Sequence, residues 1–331
     1  MKKIIAFALA TLIIIASLSG CSDSRNTNSG EEITVMLDWV PNTNHTGLFV
    51  ALANGYFDEE GIVVDIKERG QDASLVVVGQ GRADFGIAAQ EQVTFARTVE
   101  NPQPVVAIAA ILQHATTGFM SLASENILTP KDFEGKVYGH NNMPTGIPII
   151  ETLMRRHGAD PNTLRSVAHG GLIDAIHLLE SEIDIVLAFR GWTGIQAELH
   201  GIEINFIMIG QEDERFDIYT PMIISNEDFL RENPETTRKF LRAVSRGYEF
   251  TVNNPQEAAE ILHQFTPETD FELLRRSILY LRDFYTDSSG RFGHMREERW
   301  SMFSEFCLEH DIIDRELDVN AAFTNEFLPQ T

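Results

Sequence analysis

From residue 33 onward, short apolar runs that predict strands alternate with longer stretches of helical periodicity. The run Ile33-Thr34-Val35-Met36-Leu37 predicts a strand that enters a core, and the helical pattern "TGLFVALANGYF" follows at residues 46–57. The same order of strand, turn and helix recurs along the chain. Such alternation predicts an α/β protein with largely parallel sheets.

Two segments of this pattern match each other at an offset of 100 residues. The segments "ASLVVVGQGRADFGIAAQ" (73–90) and "DAIHLLESEIDIVLAFR" (174–190) each contain a helix face, a turn, an aspartate and a buried strand. Asp84 and Asp184 open the predicted strands 85–88 and 185–188. The repeat predicts two copies of one α/β plan, and therefore two lobes.

The turns at the predicted strand ends are unusually rich in polar side chains. The turn "LDWVPNTNHTG" (37–47) has a counterpart in "KVYGHNNMPTG" (136–146). In open α/β sheets, ligands bind outside the carboxyl ends of the strands, at helix N-termini. If the lobes face each other, one wall of a cleft is lined by Asp38, Trp39, Asn42, His45 and Gln90, and the other wall by Gly139, Asn141, Arg190 and Trp192.

After residue 220 the pattern returns to a strand, "TPMIISNEDF", and then becomes helical, with Asn233 and Asn254 as helix N-caps before proline. We place the first lobe at residues 32–121 plus 222–327 and the second lobe at 122–221. The chain then crosses twice between the lobes, near 121–123 and 220–223. Two crossings predict a two-strand hinge.

The first 31 residues predict export and anchoring. A basic start, an apolar run from Ile4 to Leu18 and the sequence "LSGC" have the order of a secretory signal, so residues 1–20 are a predicted signal peptide. The small pair before Cys21 resembles a bacterial lipobox, which predicts lipidation of Cys21; an ordinary signal peptide with an incidental cysteine is the alternative. Residues 21–31 then form a polar, lipid-anchored tether, and we expect an extracytoplasmic protein held at the cell membrane.

Composition narrows the partners and the chemistry. The formal net charge is −23, which disfavours nucleic acid and anionic lipid surfaces as partners. Cys21 and Cys307 are the two cysteines, and the helical spacing around Cys307 predicts a core position. The ten histidines show no spacing typical of a metal site, so we expect no metal and no cofactor.

Several segments carry a family resemblance, most specifically the run Asp38-Trp39-x-Pro41-Asn42-x-x-His45. With "GRADFGIAAQE", "TPKDFEGKVYG" and "SRGYEFTVNNPQEAAEIL", it resembles the solute-binding proteins of ABC importers, in the branch related to thiamine-pyrimidine synthase and alkanesulfonate-binding proteins. The resemblance implies a two-lobed periplasmic-binding-protein fold (type II, Venus-flytrap). It also implies a monomer that captures a small aromatic heterocycle and delivers it to a permease.

Within that branch, the ligand is either an aminopyrimidine precursor of thiamine or riboflavin. The second lobe departs from the pyrimidine-binding pattern, because "FRGWTGIQAELHG" places Arg190 and Trp192 at the cleft, and "IYTPMII" keeps Tyr219 without the usual glutamate. A second indole and an arginine suit a larger ring system with more acceptors. "GWTGIQAELHGIEINFIMI" and "AFTNEFLP" are more similar to the riboflavin-binding relatives.

Each candidate ligand-binding residue also has a structural alternative. Trp39 either stacks on ligand or packs in the core, and Trp192 either stacks or caps the following helix. Arg190 either binds ligand or pairs with Glu180 or Glu198. His45 and Asp38 either contact ligand or stabilise their own turn. The predicted set is Asp38, Trp39, Asn42, His45, Gln90, Gln113, Asn141, Arg190, Trp192 and Tyr219.

Three other functions compete with this prediction. A synthase of the thiamine-pyrimidine type would need a pyridoxal phosphate lysine, iron and a cysteine-rich motif, and the chain has too few cysteines for that motif. A binding protein for an aliphatic sulfonate or nitrate would leave the two indoles without a role. A surface adhesin or sensor subunit would leave the polar strand ends unexplained.

Overall fold

The computed structural model describes residues 30–169 and 175–329 of the 331-residue chain. The predicted signal peptide, Cys21 and nearly all of the predicted tether lie outside the described residues. Ten strands are present in these ranges: β1 Glu31–Met36, β2 Ile62–Lys67, β3 Phe85–Ala88, β4 Val105–Ala110, β5 Thr117–Leu122, β6 Val137–His140, β7 Arg165–Ala168, β8 Ile185–Phe189, β9 Ile204–Met208 and β10 Met222–Asn226.

Fourteen α-helices lie between and after these strands within the described ranges. They are α1 Thr46–Ala53, α2 Tyr56–Glu59, α3 Ser74–Gly79, α4 Gln90–Thr98, α5 Gly146–Arg156, α6 Ala175–Leu179, α7 Ile195–Leu199, α8 Ile209–Glu212, α9 Glu227–Glu232, α10 Pro234–Asn253, α11 Pro255–Phe265, α12 Phe271–Leu281, α13 Glu297–Glu309 and α14 Val319–Ala322. A π-helical segment, Arg190–Gly194, precedes α7. Over the described residues, no helix has the length and apolar character needed to cross a membrane.

The strands form two five-stranded sheets, which confirms the predicted α/β, two-lobed architecture. The first sheet has the order β2-β1-β3-β10-β4 and the second the order β7-β6-β8-β5-β9. In each sheet, three strands are parallel and the last two run antiparallel to their neighbours. We call the parts of the chain built on these sheets the first and the second lobe.

The repeated aspartates have the same structural role in the two lobes. Asp84 Oδ2 accepts a hydrogen bond from Thr34 N at 2.8 Å, and Asp184 Oδ2 accepts one from Val137 N at 2.7 Å. Each carboxylate therefore ties the strand that it opens to the neighbouring parallel strand. The sequence repeat at an offset of 100 residues thus corresponds to the same hydrogen bond, from a strand backbone N–H to an aspartate, in each lobe.

The first passage between the lobes differs from the predicted boundary at residues 121 and 122. β5, Thr117–Leu122, pairs with β8 and β9 in the second sheet, so the chain leaves the first sheet after Ala110 and enters the second at Thr117. The strand signal of β5 gives no indication of its sheet, because β5 and β4 are both apolar. The return passage lies between Met208 and Met222.

Helix α13 also departs from the prediction that residues 222–327 belong to the first lobe. Phe303, Phe306 and Cys307 pack in the core of the second lobe, whereas Trp300 on the same helix packs in a core cluster of the first lobe. Helix α13 therefore spans both lobes. Cys307 is fully buried, as its spacing predicted.

The long helix after β10 follows its sequence pattern closely. Helix α10 begins at Pro234 as predicted, but the side chain of Asn233 donates to Phe229 O and makes no cap hydrogen bond. Phe240, Leu241, Val244 and Tyr248 are fully buried in the first-lobe core. Gly47 on α1 allows this packing, because a Cβ there would lie 2.3 Å from the Tyr248 ring. Tyr248 is thereby brought beneath the turn that follows β1.

Candidate ligand-binding site between the lobes

The turn after β1, residues 38–45, is held by its own side chains. His45 is fully buried; its Nδ1 accepts a hydrogen bond from Asn42 N, so Nε2 carries the ring proton and donates to Asp38 Oδ1 at 2.9 Å. Asn42 Oδ1 caps the short helix 43–45 by accepting from Asn44 N. Asp38, Asn42 and His45 therefore form one closed network, which is the structural alternative that the sequence left open for each of them.

Two buried tyrosines support this turn from below. Tyr285 donates its hydroxyl to Thr43 O at 2.7 Å, and Tyr248 donates to Asn44 O at 2.6 Å. Burial raises the pKa of both hydroxyls, so both remain donors at any physiological pH. The backbone of the turn is rigid as a result.

The tip of the turn is nevertheless exposed. Trp39 is 46% exposed and belongs to none of the core clusters found among the described residues, so the structure does not follow the core alternative for this indole. Asp38 lies beside it with one oxygen, Oδ2, free of hydrogen bonds from the described part of the chain. A rigid turn thus presents a large apolar ring and a carboxylate oxygen to solvent.

The second lobe presents an aromatic ring at the end of β8, the strand that corresponds to β3 in the first lobe. Phe189 ends β8 and is 43% exposed, so its ring is accessible at the surface of the second lobe. Its position is fixed by the next residue, since Arg190 N donates to Thr116 O at 2.8 Å. The sequence pattern does not mark Phe189 as a site residue, because it is the last residue of an apolar strand and has the character of a core position.

Arg190 and Trp192 follow Phe189 in the π-helical segment but turn toward the first lobe. Arg190 pairs with Glu198, one of its two predicted alternative partners, and its guanidinium lies 5.6 Å from the ring centroid of Tyr280. Trp192 is half-buried and packs against the first-lobe core. Both side chains make contacts between the lobes in this arrangement.

The turn after β6 is much looser than the turn after β1. Asn141 is exposed, and its side chain accepts only from Met143 N, at 3.3 Å. Asn142 has a φ of 62°, a conformation that asparagine tolerates better than most residues. Asn141 is available to a ligand on geometric grounds.

Three predicted site residues lie instead where the chain passes between the lobes. Gln90 is fully buried: its Oε1 accepts from Tyr219 N and its Nε2 donates to Arg299 O. Gln113 Nε2 donates to His294 O. Tyr219 is 1% exposed and its hydroxyl accepts from Arg296 N, so its ring belongs to the core and not to a cleft wall.

Arg299 is the centre of this group, although no motif in the sequence marks it. We define the crossover cluster as Gln90, Gln113, Asp217, Tyr219 and Arg299. The buried guanidinium of Arg299 donates to Gln113 O, lies 4.5 Å from the Tyr219 ring centroid and pairs with Asp217 at 3.0 Å. Both passages are therefore tied to α13.

The charge state of Asp217 follows from these contacts. Burial acts to raise the pKa of Asp217, but the hydrogen bond from His114, the charge of Arg299 and the hydrogen bond from Ala115 N outweigh it, and the pKa falls below its usual value. Asp217 is ionised at neutral pH, and the crossover cluster contains a satisfied ion pair.

One hydrogen bond joins the first turns of two helices from opposite lobes. Thr145, which precedes α5, donates its hydroxyl to Glu91 Oε1 on α4. Glu91 is 8% exposed, and its burial raises the pKa of its carboxyl against the opposing effect of the Thr145 hydrogen bond. The lobes are thus in contact at a buried carboxyl that no sequence motif indicated.

The structure therefore divides the predicted residues into two groups. Asp38, Trp39 and Asn141 present side-chain atoms to solvent at strand ends, together with the unpredicted Phe189. The other members of the predicted set stabilise the turn, the crossover cluster or the contact between the lobes. No group of three or more residues able to hold a metal ion occurs within the described ranges.

The fold and these residues define a class, namely two-lobed α/β proteins with exposed polar and aromatic side chains at strand ends of both lobes. Comparison with known protein families then gives the family: residues 42–258 match the family described as NMT1/THI5 like, and the chain belongs to that family. The predicted resemblance is confirmed.

Among characterised relatives, binding proteins and synthases both occur. The formylaminopyrimidine-binding protein of Halalkalibacterium halodurans is 28% identical, and the match covers 98% of each chain. The 4-amino-5-hydroxymethyl-2-methylpyrimidine phosphate synthase of Legionella pneumophila is 28% identical over 90% of this chain and 93% of its own. The riboflavin-binding protein RibY of Chloroflexus aurantiacus is 24% identical over 90% and 86%.

Solved structures confirm the fold. The periplasmic aliphatic sulphonate binding protein SsuA of Escherichia coli superimposes with a TM-score of 0.68 over 92% of this chain and 95% of its own, at 10% sequence identity. This likeness shows a shared periplasmic-binding-protein fold. At such low identity it says nothing about the ligand.

Proposed function

We propose that this protein is the substrate-binding lipoprotein of an ABC importer that captures a small aromatic nitrogen heterocycle between its lobes and delivers it to a permease. The observation that carries the proposal is Trp39, a large aromatic ring that is 46% exposed at the tip of an otherwise locked turn. Hydrogen bonds from His45 and from two buried tyrosines hold the turn beneath this ring, so the indole projects from a fixed place where a flat ligand can stack on it.

The neighbouring groups support a flat ligand with hydrogen-bonding edges. Phe189 offers a second ring from the other lobe, and aromatic contacts of this kind contribute about 0.5–1.5 kcal/mol beyond the burial of area. Asp38 Oδ2 can accept a hydrogen bond from an amino group, and Asn141 can donate or accept. An aminopyrimidine, with an amino group on its ring edge, fits this set best.

The relatives support the same class of ligand. Two of them are named for binding a formylaminopyrimidine and riboflavin, which are both planar nitrogen heterocycles. The two-lobed fold shared with a periplasmic binding protein supports an extracytoplasmic location. The lipobox-like sequence at Cys21 supports a lipid anchor, which separation of membrane and soluble fractions would test.

Titration of tryptophan fluorescence tests the proposal. We expect formylaminopyrimidine or riboflavin to quench the fluorescence of the wild-type protein with saturation, because Trp39 would stack on the ligand. Truncation of a central aromatic anchor commonly costs 2 kcal/mol or more, so we expect Trp39→Ala to weaken binding at least about thirtyfold, as measured by calorimetry.

Two comparisons control this experiment. Val40→Ala removes an equally exposed apolar side chain from the same turn and should leave the affinity within about twofold, since surface truncations away from a contact cost little. An aliphatic sulfonate serves as the competing ligand. Tight binding of the sulfonate together with no response to either heterocycle would refute the proposed ligand class.

The synthase relative makes an enzyme the second candidate. The chain contains only Cys21 and Cys307, too few for a cysteine-rich motif. Burial, assisted by the nearby Glu91, raises the pKa of the Cys307 thiol to about 12, so this thiol is a poor nucleophile at neutral pH. These observations favour the binding protein.

A further inference from the structure

The two lobes also meet at a second contact, on one face of α12. Ser277, Tyr280 and Leu281 of this first-lobe helix lie against the segment Arg190–Gly194 of the second lobe. Ser277 is fully buried and donates its hydroxyl to Gly191 O at 2.5 Å. The contact therefore includes a buried hydrogen bond between the lobes.

The direction of the hydrogen bonds links this contact to the ligand-binding turn. The Ser277 hydroxyl has one hydrogen, which it donates to Gly191 O, so the hydroxyl of Thr43 must be the donor in its 2.6 Å contact with Ser277 Oγ. Thr43 belongs to the turn that carries Trp39. One buried hydroxyl thus joins that turn to the second lobe.

The second lobe approaches α12 so closely that a side chain at position 191 would require Leu281 to move. A Cβ on Gly191 would lie 2.7 Å from Leu281 Cδ2 and 3.1 Å from Tyr280 Cδ1. Trp192, the next residue, packs against the first-lobe core. Close packing on both sides of Gly191 makes this contact sensitive to a single added methyl group.

We propose that Ser277 and Gly191 are positioning residues of a clasp that holds the lobes together, and that the clasp sets how long a bound ligand is retained. We define the clasp as Ser277, Tyr280 and Leu281 with Gly191 and Trp192. When the lobes separate, Ser277 and Gly191 O both gain water, so the hydrogen bond contributes only to the arrangement in which the lobes are in contact. The role in ligand retention rests on the proposed function. The contact between the lobes is independent of that function, because it is present in the structure itself.

The test measures the distance between the lobes with spin labels at Glu68→Cys and Ser166→Cys, in a Cys21→Ser background where Cys307 is buried. Both label sites are exposed, Glu68 just after β2 and Ser166 in β7, and these strands form the sheet edges away from the passages between the lobes. Separation of the lobes should therefore change this distance strongly. Gly191→Ala should shift the distribution to longer distances without ligand, and Ser277→Ala should shift it in the same direction by less.

Two variants serve as matched controls. Gly70→Ala adds a methyl group in open space, and Ser288→Ala removes an exposed hydroxyl. Neither should change the distance distribution. Identical distance distributions for wild type, Gly191→Ala and Ser277→Ala would overturn the clasp. A Ser277→Ala variant with lower thermal stability but an unchanged distance would overturn it as well, because the contact would then be a permanent part of the fold.

Dissociation rates separate the clasp from the proposed function. With riboflavin and formylaminopyrimidine as probes, Ser277→Ala should raise the dissociation rate up to about tenfold and leave the association rate nearly unchanged. An unchanged dissociation rate for a probe that binds the wild type would overturn the role in retention. If neither probe binds the wild type, the proposed ligand class is wrong, and the distance measurement still decides the clasp.

Discussion

The turn after β1 and the turn after β6 occupy equivalent places in the two lobes but are built differently. In the first turn, Asp38, Asn42 and His45 satisfy one another, and two buried tyrosines hold the backbone from below. In the second turn, Asn141 and Asn142 are exposed, and their hydrogen bonds are long. The repeat therefore preserved the path of the chain while the interactions that stabilise it diverged.

This difference indicates that the two turns contribute differently to ligand binding. The first turn can present Trp39 to a ligand at little further cost in backbone entropy, because its backbone is already ordered on folding. The second turn can adjust to a ligand edge. Its one firm attachment is Thr145, which binds Glu91 of the opposite lobe.

The largest expected effect comes from removing the centre of the first turn. His45→Ala leaves a cavity at a fully buried position and removes the hydrogen-bond partner of Asn42 N and of Asp38 Oδ1, and should lower the free energy of unfolding by about 2–4 kcal/mol. Denaturant titration measures the change. A loss below about 1 kcal/mol would mean that the tyrosines alone hold the turn, and that its side-chain network does not distinguish it from the turn after β6.

The next effect concerns the attachment of the second turn. Thr145→Val keeps the shape of the side chain but removes the hydrogen bond to Glu91, and should cost about 1–3 kcal/mol because a buried carboxyl loses its partner. Thr163→Val, at an exposed threonine of the same lobe, is the matched control. Equal stability of the two variants, measured by denaturant titration, would contradict a firm attachment at Thr145.

The same contact predicts a dependence of stability on pH. Because burial raises the pKa of Glu91, its contribution is fully present below the ordinary glutamate pKa of about 4.3 and is lost as the pH rises through the raised value. Two neighbours, Tyr138 and Cys307, interact with Glu91, and burial raises the pKa of both, so they stay uncharged over this range. Glu91→Gln should remove this component of the pH profile, whereas Glu100→Gln, at an exposed position just after α4, should retain it.

The smallest effect is a direct comparison of one amide from each turn. Asn42→Ala removes a helix cap and should cost about 1 kcal/mol, whereas Asn141→Ala removes a 3.3 Å hydrogen bond in solvent and should stay within about 0.5 kcal/mol of wild type. In ligand binding the order should reverse, because only Asn141 is exposed toward a ligand. Equal losses of stability for the two variants would show that the turns are equally ordered.

The fold could be predicted to a large extent because its signals are local. The strand 85–88, the apolar face of α10 and the repeat at an offset of 100 residues all lie in the spacing of apolar side chains. The predicted lobe boundary near residue 121 was misplaced because β5 has the composition of any buried strand. Its sheet is decided by pairing with β8 and β9, which are more than sixty residues away in the chain.

The candidate site was predictable in its first half and much less so in its second. Asp38, Trp39 and His45 stand in one unusual turn, so their residue types attract notice together. In the sequence, Phe189 resembles the end of a core strand, whereas Gln90 and Tyr219 resemble cleft residues. The structure reverses both predictions, because Phe189 is exposed and the other two are buried. The exposure of a side chain depends on how the lobes pack, so the sequence of a single strand does not indicate it.

By itself the sequence determined the α/β plan, the two lobes and the unusual turn that carries Trp39, because periodicity and turn chemistry act between residues close in the chain. Only the tertiary structure decided that α13 spans both lobes, that Arg299 gathers the two passages, and that Ser277 meets Gly191. These contacts join residues that are tens to hundreds of positions apart. Their energies depend on burial and on distances of a few ångströms, which are defined only once both lobes have packed.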